Sequence, residues 1–226
     1  MTPTVAHCVS LPAPRGGRCA CGLAKPVPRP LLGWTGRAVW AESREVFRMT
    51  EAEVLAATRH WLESAVIGLN LCPFAKAVYV KNQVRLVVSR ARHADDLLEE
   101  LDRELDLLVA TPADEIDTTL LIHATLFDDF LDFNDFLEVA DGVVEEHGLE
   151  GVIQLASFHP KFQFDGTEPD DISNYTNRAP FAMLHLLRED SVERAVAAFP
   201  EAEAIFEENI KTLEKLGHAG WEKLGL

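Results

Sequence analysis

HPKFQFDGTEPDDISNYTNRAPFAMLHLLRE, running from His159 to Glu189, is the stretch whose reading decides the fold. It gathers two histidines, two arginines, two asparagines, Tyr175, Thr176 and three prolines, with little simple periodicity. A long polar loop inside a compact domain is usually functional or disordered. The interleaved aromatics Phe162, Phe164, Tyr175 and Phe181 argue for function. Pro180 suits the first position of a helix, where its missing N–H costs nothing. The spacing therefore predicts a loop from His159 onward, then a helix from about Pro180 to Phe199.

Outward from that stretch, the text is regular. Thr50 followed by Glu53 is a capping box, and Val54, Ala57, Trp61, Leu62, Ala65 and Leu69 recur at helical spacing behind it. This first helix should end near Cys72, because Pro73 disfavours helix in the residue before it. VRLVVS (84–89), TTLLIHA (118–124) and GVIQLASF (151–158) read as strands. Residues 93–110 and 129–147 read as acidic amphipathic helices, and a last helix is expected from about 201 to 217. Alternating helix and strand points to an α/β domain with a small, mostly parallel sheet of at least three strands and about five helices.

The chain has 226 residues and a formal net charge of −16. Residues 1–48 hold seven Lys/Arg against two Asp/Glu, which leaves 14 against 35 in residues 49–226. Six of the 12 prolines and three of the four cysteines also precede Met49. Residues 1–48 read as a disordered or non-native extension and residues 49–226 as one globular domain. The acidic body disfavours nucleic acid and anionic membranes, both of which need a basic footprint. No apolar run reaches the roughly 18 residues of a membrane span. Cys72 is the single cysteine of the domain, so no internal disulfide is possible there, which fits a reducing, cytoplasmic setting.

Parallel sheets bind ligands beyond the carboxyl ends of their strands, and two strands end beside His123 and His159. His159 and His185 suit proton transfer because an imidazole titrates near neutrality. Cys72 would occupy the N-cap of a helix starting at Pro73, where the dipole lowers a thiol pKa. It is the candidate nucleophile. Asn174, Thr176, Asn177 and Arg178 lead into the expected helix, whose free N–H groups would form an anion site. On a helical wheel Arg178, His185 and Glu189 share one face, and Arg188 adds a second guanidinium. No phosphate-binding glycine loop, dinucleotide fingerprint, G-x-S-x-G or H-E-x-x-H motif occurs.

GLNLCPFAK (68–76), HPKFQFDG (159–166), DDISNYTNRAPF (170–181) and LHLLRE (184–189) together resemble a bacterial family known as domain of unknown function 1415. The resemblance runs from Met49 to the C-terminal helix and implies a stand-alone domain. Where the family wording has Ser before Pro180, this chain has Ala179, which weakens a role for a hydroxyl there. The family lends no reaction and no cofactor.

The expectation is thus an enzyme acting on a small anionic metabolite, with Cys72, His159 and His185 as chemical groups. Asn174, Thr176, Asn177, Arg178, Arg188 and Glu189 would bind the substrate. A non-catalytic binding domain and a Cys/His metal enzyme are the alternatives.

Overall fold

The computed structural model describes residues 49–198 and 204–226. The expectation for residues 1–48 lies outside them. Helix α1 (Glu51–Trp61) starts at the Thr50/Glu53 capping box as read from the sequence: Glu53 N–H reaches Thr50 Oγ1, and the Glu53 carboxylate accepts from Thr50 N–H at 2.7 Å. It runs directly into a π-helical segment, Leu62–Ile67. After the turn holding Cys72 comes the short α2 (Ala75–Val80). Strand β1 (Val84–Val88), helix α3 (Ala94–Ala110) and strand β2 (Thr118–His123) form a parallel β-α-β unit. Helix α4 (Phe130–Glu146) leads to β3 (Ile153–Phe158). A 3-10 segment, Ile172–Asn177, interrupts the long connection to β4 (Ala182–Arg188). Then follow α5 (Glu189–Ala197) and α6 (Ile205–Glu222), the last broken at Gly217, whose φ of 64° leaves the helical region.

The strand order is β1-β2-β4-β3. Two expectations are corrected here. The sheet is mixed, not mostly parallel: β1 and β2 pair parallel, but β4 enters antiparallel between β2 and β3. The helix expected from Pro180 is a strand followed by a helix, and Pro180 precedes a sheet strand instead of opening a helix. AMLHLLR is a central strand covered on both faces, so it does not alternate apolar with polar, and a short continuous apolar run reads equally well as buried helix. The wheel that grouped Arg178, His185 and Glu189, and the helix-start anion site after Asn177, fall with it.

Alternation along β2 and β4 divides the core in two. Leu121, Ala182, Leu184 and Leu186 face α3 and α4, where they meet Leu97, Leu101, Leu105, Leu108, Phe133 and Phe136. Each of these large side chains contributes roughly 1.5–3 kcal/mol by leaving water. Leu120, Ile122, Phe158 and Met183 face the other way, against Val54, Trp61, Leu62 and Val66 of α1 and the π segment. The second face also borders a cavity.

Candidate active site

On the second face a cavity of about 370 Å³ lies between the sheet, the Leu62–Tyr79 region and α5. Most of its lining is apolar, including Trp61, Val66, Phe74, Leu120, Phe158 and Val192. Its polar side chains are Cys72, Tyr79, Asp117, Thr118, His185, Arg188 and Ser191. An apolar pocket with a few convergent polar groups is the usual form of a small-molecule site. The strand positions Val84, Thr118 and Leu187 stand in register at one end of the sheet. That end carries the starts of β1 and β2, opposite to the carboxyl-end rim expected for a parallel sheet. The inserted β4 reverses the geometry: its own carboxyl end, with Leu187 and Arg188, opens here.

Cys72 and His185 therefore line one cavity, though they belong to segments far apart in sequence. The π winding helps to place Cys72. Its last turn brings Ser64 O to 2.4 Å from where a Cβ on Gly68 would stand, so only glycine fits there, and the chain then turns to bond Cys72 N–H to Val66 O. Helix α2 opens at Ala75 with Phe74 as its N-cap, so Cys72 does not hold the N-cap position expected of it, although the N–H groups of Phe74 and Ala75 meet its sulfur. They do not lower the thiol as expected from the helix start. Burial pushes it up, and the two amides recover only part of the shift. Cys72 as a residue is half-buried and lines the cavity.

His185 sits in the middle of β4, opposite Leu120 and Ala156. Its Nε2 is 2.7 Å from Thr118 Oγ1, which itself lies 2.6 Å from Leu186 O. Its Nδ1 is buried with no hydrogen-bond partner. Burial holds this imidazole neutral, with a pKa of about 4.

The rest of the expected set lies elsewhere. His159 is buried at the end of β3, and both its nitrogens meet backbone: Nε2 bonds Phe127 O at 2.8 Å, and Nδ1 accepts from Lys161 N–H at 2.9 Å. Its pKa is lowered, chiefly by burial. His123, at the end of β2, shares the Phe133 ring with it, at centroid distances of 5.3 and 5.4 Å. Burial first and the charge of His159 second push His123 down to about 3. The two histidines do share a rim, as the strand ends predicted, but they stand in an aromatic core.

Within the loop, Asn174 is fully buried. Its Oδ1 accepts from Phe164 N–H at 2.9 Å and Thr167 Oγ1 at 2.8 Å, and its Nδ2 donates to Glu168 O at 2.8 Å. Thr176 donates to Ser173 O, and Asn177 donates to Ser157 O. Arg178 donates to the carbonyls of Phe162 and Pro169 and stacks 4.2 Å above Tyr175. Arg188 reaches the cavity, yet its Nε and Nη2 donate to the carbonyls of Leu108, Thr111 and Ile116, tying down the end of α3. Glu189 opens α5, where a carboxylate favours the helix dipole.

Four polar cavity residues lie outside the expected set: Tyr79, Asp117, Thr118 and Ser191. The Thr118-Thr119 pair at the head of an otherwise apolar strand was the available signal, and Ser191 follows β4 by one helical turn. Among the described residues no three His, Cys, Asp or Glu side chains gather as a metal ion would need. No described helix is long and apolar enough to cross a membrane.

Comparison with curated proteins finds no match. Comparison with solved structures finds none either. The family described as Protein of unknown function (DUF1415) matches residues 53–223, most of the chain, and the protein belongs to that family.

Proposed function

We propose that this member of the family is a cytoplasmic enzyme acting on a small molecule held in the cavity under α1 and α5. Cys72 is the candidate nucleophile and His185 the candidate proton acceptor. The observation that carries this reading is the presence of both groups in the lining of one apolar cavity. At neutral pH both rest uncharged, because burial raises the thiol and lowers the imidazole. An uncharged pair in an apolar chamber binds a substrate without first stripping water from an ion, a step that costs several kcal/mol. Bound substrate then shields the sulfur and ring from solvent, and a neutral imidazole is the form able to accept the thiol proton. The single free thiol of the domain supports a reducing compartment.

The substrate is redefined from the anion expected on sequence grounds. Arg178 and Arg188 were to hold it, and both guanidiniums are engaged by backbone carbonyls. His159 falls outside the reading for the same reason, having both nitrogens satisfied. A second reading, a non-catalytic carrier of an apolar ligand, is favoured by the largely apolar lining.

Mass-spectrometric screening against a metabolite mixture separates the two. The enzyme reading expects a compound consumed by the wild-type protein and left intact by folded Cys72→Ala and His185→Gln. Consumption by both variants would remove these two residues from the chemistry. A compound retained unchanged by all three proteins would establish the carrier.

A further inference from the structure

The hydrogen-bond geometry of the cavity points to the kind of ligand it takes, and the inference rests on the reading of this cavity as the working site. Thr118 Oγ1 lies 2.6 Å from Leu186 O and 2.7 Å from His185 Nε2. A hydroxyl owns one proton, and a carbonyl can only accept. The Thr118 proton therefore goes to Leu186 O, and His185 must donate its own proton from Nε2. That fixes the imidazole as the Nε2–H tautomer and leaves Nδ1, buried and without a partner, as a bare acceptor. One lone pair remains on Thr118 Oγ1.

The same accounting applies to the other hydroxyls of the lining. Ser191 donates to Asp117 Oδ1 at 2.6 Å and accepts from Arg194 Nη2 at 2.9 Å. Tyr79 donates to Glu63 at 2.6 Å. The hydroxyl protons of Thr118, Ser191 and Tyr79 are thus all committed to protein acceptors. Asp117 adds a carboxylate that can only accept when ionised. Arg188, the single Lys or Arg among the described lining residues, turns Nε and Nη2 to backbone carbonyls and keeps only Nη1 for a ligand. Around Thr118 and His185 the lining is left with acceptors and no free hydroxyl donor.

We propose that the cavity takes an apolar molecule that presents an O–H or N–H donor, an alcohol or an amine, to the acceptor cluster of Thr118, His185 and Asp117. A carboxylate or a phosphate placed against that cluster would set lone pairs against lone pairs. An acceptor buried without a donor is costly, so the discrimination should be large. Thr118 is in this scheme a positioning residue, because it sets which nitrogen of His185 carries the proton.

Three probes of equal chain length test the idea on the full protein: hexan-1-ol, hexylamine and hexanoate, titrated by two-dimensional NMR. The alcohol and amine should bind at least about tenfold more tightly than hexanoate, which corresponds to 1.4 kcal/mol. Asp117→Asn should weaken the amine more than the alcohol. Nitrogen-15 NMR of the imidazoles should find His185 protonated on Nε2 at pH 7. In Thr118→Val that single-tautomer signature should be lost and alcohol affinity should drop, whereas Thr118→Ser should keep both. The serine variant guards against simple misfolding of the valine one. Hexanoate binding as tightly as hexanol, or His185 protonated on Nδ1 in the wild type, overturns this inference and leaves the cavity reading standing. Failure of all three probes to shift cavity resonances overturns both.

Discussion

The loop from His159 to Phe181 and the cavity beside His185 hold similar kinds of residue and use them in opposite ways. In the loop, Asn174, Thr176, Arg178 and His159 bond to backbone groups, most of them in the loop itself, and of its site candidates only Asn177 keeps an unpartnered buried atom, Oδ1. That connection must cross from β3 to the neighbouring β4 with no regular ladder over most of its length, so its amides and carbonyls need side-chain partners. In the cavity, few polar groups are present, but acceptors are left over, as at His185 Nδ1. Density of chemically capable residues in sequence thus marks where a chain is difficult to hold together. Capacity to act on a ligand depends on which groups remain unengaged after folding.

Acid offers the largest way to break that contrast. His185 and His123 are held neutral in the fold, at about 4 and about 3. In the unfolded chain they titrate near 6.5. Between those values the unfolded state binds protons that the folded state refuses. Their contribution is therefore intact above about pH 6.5 and is lost as pH falls towards 4, at about 1.4 kcal/mol per pH unit for each histidine. Denaturant unfolding measured from pH 7 to pH 4 should show this slope. His185→Gln should remove one share of it, and His123→Phe, between Phe127 and Phe133, the other. The many carboxylates act in all three proteins, so the differences isolate the histidines. An unchanged slope in His185→Gln would mean that the ring is not held neutral in the wall of the cavity.

The next effect separates loop from cavity directly. Asn174→Ala removes three hydrogen bonds and leaves the half-buried Phe164 N–H without its acceptor. Stability should fall by about 3 kcal/mol, most of it the cost of unsatisfied buried groups. Hexanol affinity of the folded fraction should stay at the wild-type value. A loss of binding at full stability would make Asn174 part of the site and return the loop to the role its sequence suggests.

Much of this architecture is legible in the sequence, and the failures have a common origin. The capping box at Thr50, the three strands 84–88, 118–123 and 153–158, and the helices at 94–110 and 130–146 follow from local signals that tertiary packing did not override. Strand β4 was lost because a centre strand packed on both faces carries no alternation, and Pro180 imitates a helix start. That one segment then determined the rest. With β4 read as helix, the sheet reads as mostly parallel, the site falls at the carboxyl-end rim, and an anion site follows Asn177. Cys72 and His185 were both singled out, but His185 on a wheel that does not exist. Thr118 and Asp117 acquire meaning only from the register that sets Thr118 beside Leu187, a pairing no single sequence displays.

Arg178 supplies the smallest effect and the sharpest discrimination. As an anion-binding residue it would tolerate lysine poorly in binding while the fold stayed intact. In the structure its guanidinium donates to two loop carbonyls, lies over Tyr175, and its own carbonyl accepts from Trp61 Nε1 at 2.9 Å. Lysine keeps the charge but lacks the planar fork that serves both carbonyls while stacking on a ring. The backbone bond from Trp61 survives the change, so the loss is confined to the side chain. Arg178→Lys should therefore cost about 1 kcal/mol of stability, the net worth of roughly one hydrogen bond. Affinity for hexanol and for hexanoate should be unchanged, because the side chain is directed at Phe162 and Pro169. A variant of wild-type stability that loses its ligand would reverse the assignment, placing the charge of Arg178 in the site and the work of holding the loop on Asn174 and its neighbours.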